Sequence, residues 1–436
     1  MTSYLKKYAT AIISAKHYVA QWSTDHLYAD QVLIVPFPTL AMYDSEKKIW
    51  SIHIKAWLYV PFQGKNLKSY LPSLPSFLRG KTDETKKEDE VIDEDNKKVD
   101  TEKKQTAAIA IKENNKVKEQ ESLDEDDNED DENYEDALED EFNESNENPG
   151  RLGLFFVGNS VKVATKSIIN GVEHLLQPSD ESGFIEQQLD LSVGDIEKLG
   201  TKIHPDSDDK KFEYEIELNE SKTDESSPNC KPFKCTIYVL ASHGVSIISD
   251  IDDTIKVSNV LKTRSLLKHT FYSYFKPVDG MSELYQKWSE QKCQFHYVSA
   301  SPWQLYPALR CFLEKYKYPM GTMNLRKFAW SLKFLKAPDE YKIETITPII
   351  HAYPERKYIL VGDSGELDPE IYSKLYSTFP QNIAHIFIRD ICRTPECLLT
   401  CHERYIKTFE NVPHERYTIF KDPKEIETSI EKLIST

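Results

Sequence analysis

From residue 245 onward, short apolar runs alternate with helical periodicity, and this alternation limits the possible folds more than any other feature of the chain. VSIIS (245–249), QFHYV (294–298), KYILV (357–361) and IAHIFI (383–388) are brief, nearly uniformly apolar segments, as expected of strands covered on both faces. Between them, Val278, Met281, Leu284, Tyr285 and Trp288 fall on one helical face, and so do Leu305, Leu309, Phe312, Leu313 and Tyr316. Ser301 followed by Pro302 predicts the start of the second helix. Further helices are predicted near 339–352 and 368–378, the first kinked or ended by Pro348. Strands alternating with helices predict a doubly wound parallel α/β sheet over 245–436.

The preceding stretch has a different rhythm. In WSIHIKAWLYV, Ile52, Ile54, Ala56, Leu58 and Val60 recur at period two. Strand-like runs return at 152–157, 161–165, 184–191, 212–218 and 235–240, separated by turn-rich segments such as QPSDESG. Many strands and few helices predict a β-rich, sandwich-like accessory domain over 25–244. Residues 81–149 interrupt it with 28 acidic against 10 basic residues and no apolar face. Such a segment cannot bury enough surface to offset its ordering entropy, so it is expected to be a disordered acidic insertion, either a plain spacer or an interaction segment. Residues 1–24 contain an amphipathic helix pattern, with Leu5, Tyr8, Ile12, Val19 and Trp22 near one face and Lys6, Lys7 and Lys16 beside it. That pattern suits docking on the next domain or lying in a membrane interface.

Charge excludes some functions. The formal net charge is −17, yet the acidic insertion accounts for all of it, and the other 367 residues are nearly neutral. A domain built to bind nucleic acid is usually plainly basic, so no nucleic-acid partner is expected. No apolar run approaches the ~20 residues of a membrane span. Seven thinly spread cysteines fit small buried residues in a reducing, cytoplasmic setting, and Cys392, Cys397, Cys401 and His402 match no zinc spacing.

The chemistry gathers at strand ends. VSIIS runs into SDIDDTIK, so Asp250, Asp252 and Asp253 leave the carboxyl end of a buried strand, where open α/β sheets bind ligands. KYILV runs into GDSGELDPE, bringing Asp363, Glu366 and Asp368 to the same edge, and QFHYV brings Ser299 and Ser301. Carboxylates crowded together call for a hard cation such as Mg²⁺. A phosphoryl-transfer site needs such an edge.

These motifs resemble the haloacid dehalogenase superfamily of aspartate-nucleophile phosphatases. Asp250, Asp252 and Thr254 match its DxDxT signature, Ser299 its second motif, Lys342 its third, and Gly362-Asp363 with Asp368 its fourth. More narrowly, SDIDDTIK, GMSELYQKW, YVSASPWQLYPAL and VGDSGELDPEIY resemble the fungal actin-patch-associated phosphatidate phosphatases. The resemblance implies a haloacid dehalogenase-like fold and Mg²⁺-dependent hydrolysis of phosphatidate. Asp250 is then the nucleophile, Asp252 the general acid and base, and Thr254 an orienting residue. Ser299 and Lys342 contact the phosphoryl group. Asp250, Asp252 (through its backbone carbonyl), Asp363 and Asp368 are the metal set, although Asp368 also suits a helix N-cap. The competing readings are a phosphoprotein phosphatase of the DxDxT type and an endocytic or actin-associated scaffold.

Two segments, 269–277 and 324–336, interleave basic and aromatic residues. Arg326, Lys327 and Trp330 are candidates for a substrate and membrane rim facing anionic headgroups, with a buried cap or sheet-edge element as the alternative. The implied location is cytoplasmic, peripheral to membranes and at cortical actin patches. The single PxxP, at 71–77, lacks a flanking basic residue, so recruitment by SH3 domains is not expected.

Overall fold

The computed structural model describes residues 32–60, 158–159, 162–219, 233–258, 275–326, 338–392 and 395–429. The predicted helix over 1–24, the acidic insertion over 81–149 and rim residues Lys327 and Trp330 lie outside them. Residues 1–63 and 150–436 form one compact unit.

The first eleven strands are β1 (Leu33–Pro36), β2 (Thr39–Leu40), β3 (Met42–Asp44), β4 (Ile49–Val60), β5 (Gly158–Asn159), β6 (Thr165–Ile169), β7 (Val172–Leu175), β8 (Phe184–Ser192), β9 (Thr201–Lys202), β10 (Lys210–Leu218) and β11 (Phe233–Val239). They build two sheets. In one, β4 pairs antiparallel with β1, β3, β5 and β8; in the other the order is β2-β11-β10-β6-β7, with β9 also on β10. The period-two pattern fixes which face is inside. Ile52, Ile54, Ala56 and Leu58 of β4 pack with Phe212, Tyr214 and Ile216 of β10 in one core, while Glu213 between them is exposed. A short helix, α1 (Val193–Leu199), follows β8 and starts at a capping box between Ser192 and Asp195.

The second half is a six-stranded sheet made of β12 (Val245–Ser249), β15 (Gln294–Pro302), β16 (Thr322–Arg326), β17 (Lys357–Asp363), β18 (Ile383–Arg389) and β19 (Tyr417–Phe420). A small hairpin, β13 (Lys256–Val257) with β14 (Lys276–Pro277), follows β12. The order is β16-β15-β12-β17-β18-β19, and every pair is parallel. The chain therefore runs outward from β12 to one side and then returns to the other. The strand order reverses at β12, which puts a crevice at its carboxyl end. The connections carry α2 (Met281–Glu290), α3 (Tyr306–Lys315), α4 (Pro338–Ala352), α5 (Asp368–Thr378) and α6 (Pro395–Thr408).

α4 runs through Pro348 to Ala352, so of the two expected effects the proline does not end the helix; Ile346, Ile349 and Ile350 around the proline are buried in the core, which offsets the lost hydrogen bond. Two local expectations change. Ser301 does not cap a helix, because β15 continues across a bulge to Pro302 and α3 begins only at Tyr306. Cys392 is disulfide-bonded rather than a free thiol.

The two halves share a core. Leu40, Tyr238 and Leu240 pack with Ile248, Val298 and Leu360. The Tyr353 hydroxyl donates to Ala41 O (2.6 Å) and accepts from Leu240 N (3.2 Å). Arg356, fully buried, pairs with Asp209 (3.0 Å) and donates to the carbonyls of Ala241, His243 and Val245. Aromatic contacts between Phe37 and Tyr306 (4.6 Å) and between Phe184 and Trp303 (5.0 Å) brace the segment just after Ser301. Among the described residues, no helix is long and apolar enough to cross a membrane.

Candidate active site

The centre of the site is a buried carboxylate cluster at the carboxyl ends of β12 and β17. Asp250 follows β12 directly, Asp363 ends β17, and Asp368 opens α5. Their oxygens lie within 4.8 Å of one another, and all three residues are at most 1% exposed. β17 pairs with β12 in register and Asp250 N donates to Val361 O (2.9 Å), so backbone geometry alone brings the two strand ends together. Gly362 allows Asp368 to approach, since a Cβ there would lie 2.3 Å from Asp368 Oδ2. Asp368 is not an N-cap. It sits in the first turn of α5, accepts from Asp363 N (3.3 Å) and contacts Lys342.

Lys342, from α4, is the counter-charge. Its ammonium lies 2.8 Å from Asp250 Oδ1 and 3.3 Å from Glu366 Oε2, and it also pairs with Asp368. One cation thus pairs with three carboxylates, with Asp363 a fourth acid in the same cluster. The consequences appear in the proton affinities. Burial, reinforced by Asp368 and Glu366, pushes the Asp250 carboxyl well above the usual range against the pull of Lys342. Burial and the neighbouring Asp368 and Asp250 do the same to Asp363. Lys342 is held well above the ordinary lysine value because Asp250, Asp368 and Glu366 overcome its burial. Asp363 Oδ2 is buried without a hydrogen-bond partner among the described residues. Asp250, Asp363 and Asp368 could together hold a hard, oxygen-preferring cation.

Asp252 points elsewhere. Its Oδ1 accepts from Lys256 Nζ (2.6 Å) and Ser258 Oγ (2.6 Å), and its Oδ2 from Ser301 Oγ (2.7 Å) and Ser299 Oγ (3.3 Å). Burial alone would raise this carboxyl, but Lys256 and the serine hydroxyls outweigh it and hold it at about 2. The DxDxT turn makes this possible. Asp253 adopts a left-handed φ of 53°, its N–H donates to Lys256 O (2.7 Å), and its side chain accepts from Ser258 N (2.7 Å). Thr254 Oγ1 donates to Asp250 Oδ2 (3.3 Å), so it orients the first aspartate and not the second. Ser299 also accepts from Ser301 N (3.0 Å).

The family resemblance named Asp250, Asp252, Thr254, Ser299, Lys342, Asp363 and Asp368, and the structure gathers all seven at one sheet edge. Arg326 ends β16 and is only 6% exposed, with burial lowering its proton affinity. Sequence reasoning missed Lys256, Ser258 and Arg404. Arg404, on α6, grips the acidic loop through Ser364 O (2.6 Å), Glu366 O (2.6 Å) and both oxygens of Glu370. No motif marks it, because two of its four hydrogen bonds go to backbone carbonyls, which carry no sequence signal.

The sheet edge, its acids and its lysine coincide with a recognised family segment: residues 245–390 match the catalytic domain of phosphatidate phosphatase APP1. The chain is 33% identical over 186 residues to an uncharacterized protein of Schizosaccharomyces pombe, covering 42% of the chain and 30% of that relative. It is 33% identical over 156 residues to phosphatidate phosphatase APP1 of Saccharomyces cerevisiae, covering 34% of the chain and 26% of that relative. The chain thus spans less than a third of the length of each of these two curated relatives. The APP1-type segment begins at β12 and ends one residue after β18, so it contains every residue of the carboxylate cluster.

Proposed function

We propose that this chain is a Mg²⁺-dependent phosphatidate phosphatase of the haloacid dehalogenase type, hydrolysing phosphatidate to diacylglycerol and phosphate. The observation that carries this reading is the buried Asp250–Asp363–Asp368 cluster with Lys342, lying inside the APP1-type segment. Asp250 attacks phosphorus and forms an aspartyl-phosphate, which splits the hydrolysis into two easier steps. Thr254 and Lys342 fix the attacking carboxylate on its two oxygens. Lys342 also balances charge on the transferring phosphoryl group. Asp252 takes up the proton of the phosphate monoester monoanion once Ser299 and Ser301 turn to the phosphoryl oxygens, passes it to the departing alkoxide, and then takes a proton from the attacking water. Ser299 and Ser301 supply hydroxyl donors for the phosphoryl oxygens. Asp250, Asp363 and Asp368 would hold Mg²⁺, which when bound screens the repulsion between the anionic nucleophile and an anionic substrate. A lipid substrate requires the site to meet a bilayer from the cytoplasmic side, with Lys327 and Trp330 as the candidate contacts, since Arg326 is buried at the sheet edge and leaves the rim, and actin-patch membranes as the setting.

The test is phosphate release from phosphatidate vesicles, other lipid phosphates, small soluble esters and phosphopeptides, each with and without Mg²⁺. The expected result is Mg²⁺-dependent turnover with phosphatidate preferred to any phosphopeptide. Preference for a phosphopeptide would replace the lipid reading with the phosphoprotein one. Lys327 and Trp330 variants are expected to lose more kcat/KM on vesicles than on a small ester, and equal losses would remove them from the membrane rim.

A further inference from the structure

The proton-transfer role of Asp252 needs one carboxylate oxygen free to meet the leaving group and a side chain that does not swing away. A carboxylate offers about four acceptor positions, and here all four are filled by protein donors. The donors divide by origin. Lys256 and Ser258, both on Oδ1, belong to the turn that carries Asp252 and to the hairpin strand β13. Ser299 and Ser301, both on Oδ2, come from the end of β15, the edge that faces a phosphoryl group.

The holding pair is fixed in its turn. Lys256 is 2% exposed and Ser258 is fully buried. The ammonium contacts Ser258 Oγ as well as Asp252, and it lies 4.7 Å from the centre of the Phe275 ring. Ser258 N is anchored on Asp253 Oδ1, and Lys256 is paired in register with Pro277. Lys256 is therefore too enclosed and too fully engaged to serve as a substrate cation. Its contacts are with the side chain that performs the chemistry.

We propose that Lys256, with Ser258, is the positioning residue for Asp252: it clamps Oδ1 throughout, so that Oδ2 is the oxygen that takes the proton of the arriving phosphate monoester monoanion and passes it to the alkoxide once Ser299 and Ser301 turn to the phosphoryl group. This rests on the acid–base role assigned to Asp252 above. An arriving phosphate competes for the two serine hydroxyls and for neither donor on Oδ1. Substrate binding would then uncover one oxygen while the other keeps the carboxylate aimed. Preorganisation of this kind matters because a misplacement of about 1 Å can cost about 10²-fold in rate.

The experiment compares kcat/KM for two soluble esters, an alkyl phosphate whose alkoxide must be protonated to leave and p-nitrophenyl phosphate, whose phenolate leaves unaided. This ratio reports steps up to departure of the leaving group, so later use of Asp252 as a base does not blur it. Lys256→Met is expected to lose about 10²-fold on the alkyl ester and less than about threefold on the aryl ester. Lys256→Arg should recover part of the alkyl activity, and Ser258→Ala should show the same selective loss at smaller size. Equal losses on both esters, or none, in folded Lys256→Met overturn the proposal. If Lys256→Met does not fold by circular dichroism, Ser258→Ala and Lys256→Arg decide by the same criterion. Asp252→Asn separates the two layers of the argument. If it shows no selective loss on the alkyl ester, the acid role of Asp252 fails. If it does while the Lys256 and Ser258 variants do not, only the clamp fails.

Discussion

Replacing Arg356 should unfold both halves of the protein together. The guanidinium is fully buried at the start of β17, the strand that ends in Asp363. It makes five hydrogen bonds: to Asp209 Oδ1 (3.0 Å), Ser246 Oγ (3.0 Å), and the carbonyls of Ala241 (2.9 Å), His243 (2.9 Å) and Val245 (3.1 Å). Gly244, at φ 129°, makes the pocket, since a Cβ there would lie 3.0 Å from the guanidinium nitrogens. Arg356→Met leaves the Asp209 carboxylate, 3% exposed, with only Ala241 N as donor, and strips three carbonyls. Removing one member of a buried ion pair costs about 3–5 kcal/mol, so about 4 kcal/mol is expected here. Arg356→Lys keeps the charge but has three donors for five acceptors, and should lose about half as much. Asp209→Asn combined with Arg356→Met should cost less than the sum of the single changes by about 2 kcal/mol. The assay is urea unfolding followed by tryptophan fluorescence and by loss of phosphatase turnover. The two curves should coincide in the wild type and shift together in each variant. A loss under about 1 kcal/mol in Arg356→Met, or strict additivity with Asp209→Asn, would refute the idea that this pair fastens the β-rich half to the catalytic sheet.

Other outcomes follow from the site and its surroundings. Asp250→Asn and Asp250→Glu should each lower turnover at least about 10²-fold while circular dichroism is unchanged, because one removes the nucleophile and the other misplaces it. Exhaustive chelation should abolish phosphate release and Mg²⁺ should restore it, with Asp363→Ala requiring more Mg²⁺ for half-maximal rate; turnover that survives chelation would remove the metal from the mechanism. Burial and Arg356 push buried His296 down to about 3. The unfolded chain therefore takes up a proton first as pH falls below about 6.5, and stability is lost progressively from there toward pH 3. His296→Gln should reduce the fall in unfolding free energy between pH 6.5 and pH 5 by about 2 kcal/mol, measured by urea titration at each pH.

The parallel strands were readable because burial on both faces leaves no room for polar residues, so VSIIS, KYILV and IAHIFI announce themselves. β10 was equally plain, since Phe212, Tyr214 and Ile216 alternate with glutamates on a half-exposed sheet. The junction between the halves was not readable. Period-two alternation assigns Trp57 and Tyr59 to the outer face of β4, yet both are buried, at 0% and 7% exposure. They stack on one another at 4.2 Å, and their burial is something that no local pattern announces. A boundary at 244 separates two sequence rhythms, while the packing runs straight across it through Leu240, Arg356 and Tyr353.

The same contrast divides the site. Carboxylates at strand ends are legible because polar residues have no structural reason to follow three adjacent buried strands. Lys256 was not, because an acid and a base four residues apart suggest a helical pair, whereas here a turn through the left-handed Asp253 brings them together. Ser301 was misassigned for a related reason. Ser before Pro favours a helix start, but the bulge between Ser299 and Pro302 keeps the strand going and sends the hydroxyl to Asp252. In both cases a turn or bulge, not the local sequence pattern, brings the polar side chain to Asp252. The sequence thus identifies the acids that could do chemistry, and only the fold identifies the donors that hold Asp252 in place.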